Sequence, residues 1–128
     1  MTVESIWLFC QIRMKPSSRD RMNEKEKARF ETRARIIKAL AHPTRLFMVD
    51  KLSHGERCVC ELGEMIDADI STVSRHLSVL KSVGIVEDEK RGQQVWYRLK
   101  VPCILNFFGC VEDVLKSNIK QIRESIGK

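Results

Sequence analysis

The stretch Ser71-Thr72-Val73-Ser74-Arg75-His76-Leu77-Ser78-Val79-Leu80-Lys81-Ser82 decides the fold. Val73, Leu77 and Leu80 recur at helical spacing and predict one buried stripe. No acidic residue interrupts the segment. Its outward side offers Ser71, Thr72, Ser74, Arg75, His76 and Ser78, short hydroxyls and donors suited to phosphates and to base edges in a major groove. Ser71 is the expected N-cap, and a helix N-terminus favours phosphate through its dipole. For any one of these residues, His76 above all, ordinary surface is the competing reading. The pattern as a whole is more specific.

Working outward, Leu62, Met65 and Ile66 have i, i+3, i+4 spacing and predict a helix starting near Cys58 or Cys60. Asp67-Ala68-Asp69 ends it as a turn. Two short helices joined this way form a helix-turn-helix. Further upstream, Pro43 or Thr44 opens a helix with Leu46, Phe47, Val49 and Leu52 apolar, stopped at Ser53-His54-Gly55. Before it, Phe30, Ile37, Leu40 and Ala41 mark a helix running from about Asn23 to His42-Pro43, where proline ends it. His42 is expected to fill a turn or make a core hydrogen bond.

Downstream of Gly84 the period changes to two. Residues 85–90 and 94–99 read as strands around Arg91-Gly92-Gln93, a β-hairpin. Its tip, with Lys90, Arg91 and Gln93, is a small basic wing able to reach the backbone or the minor groove. Pro102 is expected in the first turn of a last helix. That helix carries Ile104, Phe107, Phe108, Val111, Val114, Leu115, Ile119, Ile122 and Ile126 on one broad stripe. A small domain cannot cover all of it, so a two-fold homodimer is expected, with an intramolecular core helix as the alternative. The fold class is mainly α with a small β-hairpin wing: a winged helix-turn-helix dimerising through terminal helices. Residues 1–23 show no clear period and read as a flexible N-terminal arm. Residues 24–126 read as the domain for DNA binding and dimerisation. Met14 and Met22 are alternative starts.

Composition agrees. The 128 residues are 31% charged and 43% hydrophobic, which suits one domain and excludes wholesale disorder. The net charge is +6, and between Arg13 and Lys38 ten Lys/Arg stand against four Asp/Glu. Such a block suggests a polyanion partner, double-stranded DNA in this context, although a solvated helix face would look the same. The Ile6-Trp7-Leu8-Phe9 run is far shorter than the roughly 20 residues a bilayer needs, so no membrane partner is expected. An enzyme is disfavoured: there is no C-x-x-C, no nucleotide loop and no Ser/His/Asp set. Five cysteines are an odd number, which fits a reducing cytoplasm and thiol chemistry better than cross-links.

Cys58-x-Cys60 is the candidate chemical centre, because two thiolates suit soft ions. In a helix, positions i and i+2 lie about 200° apart, whereas an extended segment puts them on one face. An ion held by both would therefore distort the start of the third helix, which supports the DNA-reading helix. The competing reading is two small buried apolar side chains.

The segment from about Ile36 to Leu99 resembles the ArsR/SmtB family of metal-sensing winged-helix repressors, arsenic-responsive type. The resemblance rests on Leu40-Ala41-His42-Pro43-Thr44-Arg45, Cys58-Val59-Cys60-Glu61-Leu62, Ser71 to Leu80, Gly84-Ile85-Val86 and Trp96-Tyr97-Arg98-Leu99. It implies a homodimeric repressor that leaves its operator when arsenite, antimonite or a soft divalent ion such as Cd(II), Pb(II) or Zn(II) binds. Arsenic sensors of the family often carry a third cysteine three residues after the second. Here that position is Gly63. Cys10, Cys103 and Cys110 are the other thiols, and Cys103 or Cys110 is the preferred third ligand. Those two lie about 10 Å apart along one helix and cannot both reach one ion. Cys103, in the first turn, would feel the helix dipole. A thiol-redox switch on the same fold is the alternative function.

Overall fold

The computed structural model describes residues 17–127. The Ile6–Phe9 run, Cys10 and most of the expected arm lie outside them. Helix α1 (Glu24–Leu40) opens on a reciprocal cap. The Glu26 N–H donates to Asn23 Oδ1 at 2.9 Å, and the Asn23 N–H donates to Glu26 Oε2 at 3.0 Å. Two donors that the first turn leaves free are thereby satisfied. Phe30 and Ile37, whose spacing marks the helix, are exposed, and only Ala39 and Leu40 of it are buried. The chain divides into two units, Met1–Ala34 and Arg35–Lys128, with the boundary inside α1.

Helix α2 (Pro43–Leu52) starts where His42 Nδ1 accepts the Thr44 N–H at 3.1 Å. Met48, Val49 and Leu52 are buried, while Leu46 and Phe47 stay largely open. The two-residue strand β1 (Arg57–Cys58) follows and runs straight into α3 (Val59–Ile66). Asp67 ends α3 in the left-handed region at φ 56°, ψ 50°, which a short polar side chain tolerates. Helix α4 (Ile70–Ser82) is the expected DNA-reading helix. Its Val73, Leu77 and Leu80 are fully buried. The N-cap is Asp69 rather than Ser71: Asp69 Oδ1 accepts the Thr72 N–H at 3.1 Å, and Ser71 Oγ donates to Asp69 Oδ2 at 2.8 Å. The Thr72 hydroxyl above all, then the Ser71 hydroxyl and the Thr72 N–H, hold the Asp69 carboxyl below the usual carboxylate range.

The wing is β2 (Val86–Arg91) and β3 (Gln94–Leu99), turning at Gly92, whose φ of +64° suits glycine. β1 adds to the outer edge of β3, giving an antiparallel sheet in the order β1-β3-β2. Leu40, Met48, Val49, Leu52, Leu62, Val73, Leu77, Leu80, Ile85, Val86 and Tyr97 make one apolar core beneath this arrangement. Helix α5 (Ile104–Ile126) begins two residues later than expected, with Cys103 as its N-cap and Pro102 in the preceding turn. Ile104 and Phe108 pack on the core. No residue of α5 is buried, and Val114, Ile119, Ile122 and Ile126 are each more than half exposed. No helix among the described residues is long and apolar enough to cross a membrane.

Candidate nucleic-acid interface and thiol pair

The outward residues of α4 differ in what they have free. Arg75 is exposed and makes no ion pair among the described residues. Ser71 spends its hydroxyl proton on the Asp69 cap, and Ser78 Oγ donates to Ser74 O at 2.8 Å. Thr72 and Ser74 are half-buried. His76 is half-buried too, and it faces inward neighbours: its ring centroid lies 4.6 Å from that of His42, and Arg45 Nη1 is 3.4 Å from His76 Nδ1. Arg45 Nε in turn donates to Ala39 O at 2.5 Å. Burial first, then the charges at His42, Arg45 and Arg75, pushes the His76 pKa down. Sequence reasoning missed this cluster, because it joins residues from two helices and the turn before one of them.

The wing is less basic in practice than in sequence. Arg91 Nη1 is 2.9 Å from Glu56 Oε2, and Arg91 Nη2 is 2.8 Å from Glu89 Oε2. Arg98 joins Glu87 at 2.6 Å and Glu56 at 3.7 Å. Alternation on β2 and β3 puts Glu87, Glu89, Arg91, Trp96 and Arg98 on one face, so the acids meet the bases directly. Lys90 and Gln93 at the tip remain exposed, and Lys90 makes no ion pair among the described residues. On the opposite face Lys81 Nζ reaches Asp88 at 2.9 Å and ties the end of α4 to the wing.

Cys58 and Cys60 straddle the β1–α3 junction. Cys58 has extended backbone (φ −81°, ψ 161°), is 3% exposed and caps α3, its Sγ accepting the Glu61 N–H at 3.4 Å. Cys60 is already helical and exposed. The two thiols therefore occupy different environments, one inside and one outside. Beside them Arg57 Nε is buried with no partner. Gly63 is buried where α3 meets α4; a Cβ there would sit 3.3 Å from Ala68 O and 3.8 Å from Val73 Cγ2. Cys103 and Cys110 are free and exposed on α5. Among the described residues, no three His, Cys, Asp or Glu side chains converge in one protomer to hold a metal. The soft donor pair fits a thiophilic ion in kind, and among the described residues of one protomer no third ligand joins it.

Residues 42–88 match the family described as bacterial regulatory protein, arsR family. The cadmium resistance transcriptional regulatory protein CadC of Listeria innocua is 42% identical over 72 residues, which cover 56% of this chain and 60% of that protein. The chain thus spans less than two thirds of that curated relative. An uncharacterized HTH-type transcriptional regulator of Methanocaldococcus jannaschii is 35% identical over 97 residues, 75% of this chain and 97% of the relative. Among solved structures, a homodimeric winged helix-turn-helix DNA-binding domain from Mycobacterium bovis is similar at a TM-score of 0.67 and 30% identity, covering 77% of this chain and 92% of that one.

Proposed function

Because this chain belongs to the arsR (ArsR/SmtB) family of winged helix-turn-helix transcriptional regulators, we propose that it is a homodimeric DNA-binding repressor released from its operator when a thiophilic ion binds Cys58 and Cys60. The observation that carries the reading is the placement of both thiols at the first turn of α3, the helix against which α4 is packed. Holding both on one ion requires Cys58 to leave its cap or the first turn of α3 to open, since the free arrangement points one thiol in and one out. Either movement displaces the support of α4.

Arg75, Lys90 and the hydroxyls of α4 supply the DNA contacts in this reading. The open apolar face of α5 supplies the dimer seam, and a third thiolate, Cys103 or Cys110, comes from the same or the partner protomer. The cadmium-resistance role named for the Listeria relative favours Cd(II) among the candidate inducers, with Pb(II), Zn(II), arsenite and antimonite tested beside it. Reduced thiols are needed throughout, which suits the cytoplasm.

The test is a titration of the reduced protein on a duplex that the protein itself selects from a random library. Thiolate absorbance and DNA anisotropy are followed together. Cd(II) or arsenite should raise the former and release the duplex at the same stoichiometry. Cys58→Ser or Cys60→Ser should bind the duplex and ignore the ion. Release by peroxide, with no response to either ion, would assign a thiol-redox switch instead.

A further inference from the structure

The His42–Arg45–His76 cluster is left over by that reading. His76 lies on α4, in the middle of the expected DNA-reading surface, yet its ring is tilted 43° against the His42 ring at 4.6 Å. Arg45 approaches its Nδ1 at 3.4 Å, while its own Nε is anchored on the last turn of α1 at Ala39 O. His42 is held as well, because its Nδ1 caps α2. A ring fixed on two sides by residues that are themselves fixed is a wedge between α4 and the α1–α2 corner.

We propose that His76 is a positioning residue of the DNA-reading helix: the wedge it forms with His42 and Arg45 sets how α4 sits on the α1–α2 corner, and His76 itself makes no base contact. The proposal rests on the DNA-reading role of α4 given above.

The wedge works only with a neutral ring. Nδ1 can accept from Arg45 only through its lone pair. The titratable and charged groups acting on His76 are His42 from the α1–α2 turn, Arg45 from α2 and Arg75 from α4 itself, none of them an acid. A proton on His76 would remove the acceptor and add a cation near Arg45 and Arg75, with no carboxylate among the described residues acting to offset it. The half-buried ring then leaves its seat and α4 shifts. The sign follows from the lowered folded pKa: the contribution is complete above the ordinary histidine value, about 6.5, and is lost as pH falls through the folded value.

The experiment measures duplex affinity by anisotropy from pH 8 to 5.5 at fixed ionic strength, with the library-selected duplex, for wild type and His76→Gln. Glutamine keeps an acceptor and does not titrate. Taking the ratio of the two affinities cancels protonation elsewhere. That ratio should fall about fivefold or more on acidification, a usual size for one coupling. Thermal midpoints over the same pH range should show wild type losing stability relative to His76→Gln. His42→Asn, which keeps a good cap for α2 but removes the stacked ring, should shrink the pH effect while binding at pH 8. A ratio that stays flat or rises in acid overturns the proposal, a rise being the mark of a direct His76–phosphate contact. Absence of binding to any duplex at any pH overturns the DNA-reading role and this proposal with it. Binding with a flat ratio overturns this proposal alone.

Discussion

Cys58 and Trp96 are direct cross-strand partners on the β1–β3 ladder, and the Arg91 guanidinium lies 5.4 Å from the centroid of the same indole. The buried thiol, the only described tryptophan and the wing are therefore neighbours. Trp96 emission should change when a thiophilic ion draws Cys58 out of its cap. With Trp7→Phe as the background, leaving one tryptophan of two, Cd(II) should shift the emission of the reduced protein at the stoichiometry that releases DNA. Cys58→Ser should abolish the shift. A shift that persists in Cys58→Ser would place the ion elsewhere.

Arg75 and Arg91 should separate sharply in DNA binding. Arg75 is exposed and has no ion pair among the described residues, whereas Arg91 is engaged by Glu56 and Glu89. Arg75→Ala should weaken duplex binding by about 1–3 kcal/mol, the range for a specific polar contact. Arg91→Ala should change it little, since its charge is already offset by neighbours. Anisotropy titrations at two salt concentrations decide this, and equal losses in both variants would show that the wing pairs open on DNA.

Helix α5 should hold the dimer through its outer half. Ile122 is 57% exposed, so Ile122→Glu costs the protomer little by itself. In a dimer it would bury a charge and forfeit apolar burial at roughly 25 cal/mol per Å². Sedimentation velocity should show monomers, with the melting midpoint of the protomer core retained. Phe108→Glu is the poorer probe, because Phe108 also packs on the core of its own chain.

Asp69 should matter more than Ser71 to the stability of α4. Asp69→Ala removes the side-chain cap and lowers the thermal midpoint, whereas Asp69→Asn preserves most of it, asparagine being an equally good cap. The folded Asp69 pKa is depressed, so its contribution is present above the ordinary carboxylate value and lost as pH falls through the folded one. The gap between wild type and Asp69→Ala should therefore close in acid, below about pH 4. Ser71→Ala should cost less at every pH.

The thiols should differ in their structural cost. Cys60 is exposed, and Cys60→Ser should stay within about 0.5 kcal/mol of wild type. Cys58→Ala removes a buried side chain and the α3 cap together and should cost about 1–2 kcal/mol. Cys58→Ser keeps an acceptor for the Glu61 N–H and should fall between them. Urea denaturation of the three variants checks the order.

Long, strongly periodic segments were legible in the sequence. The 3.6-residue stripe Val73, Leu77, Leu80 and the two-residue alternation of the hairpin describe burial that side chains of one element settle by themselves. Three kinds of feature were not legible. Strand β1 is two residues long and carries no period, so the pairing that ties Cys58 to the sheet had no local signal. The α4 cap fell to Asp69 because an aspartate two residues earlier competes with Ser71 and its carboxylate takes both nearby donors. The open positions of α1, Phe30 and Ile37, look like core in sequence, since periodicity reports an apolar face and not what covers it. Within the candidate site, the residues of α4 could be named from sequence. Their division into free donors and engaged ones, and the inward turn of His76, depended on Arg45 and His42, which lie some thirty residues away.

Gly63 gives the helix-turn-helix an unusual sensitivity. A single added carbon there would meet the Ala68 carbonyl at 3.3 Å, tighter than most packed contacts, so the turn would have to give by a few tenths of an ångström, while Val73 Cγ2 of α4, at 3.8 Å, stays in ordinary contact. The same position is where another thiol would extend Cys58-x-Cys60 along α3. Enriching the metal-binding repertoire at that point and preserving the turn between the two helices thus meet on one residue. In a Gly63→Cys protein the gain in inducer affinity is coupled to how far the turn before α4 yields.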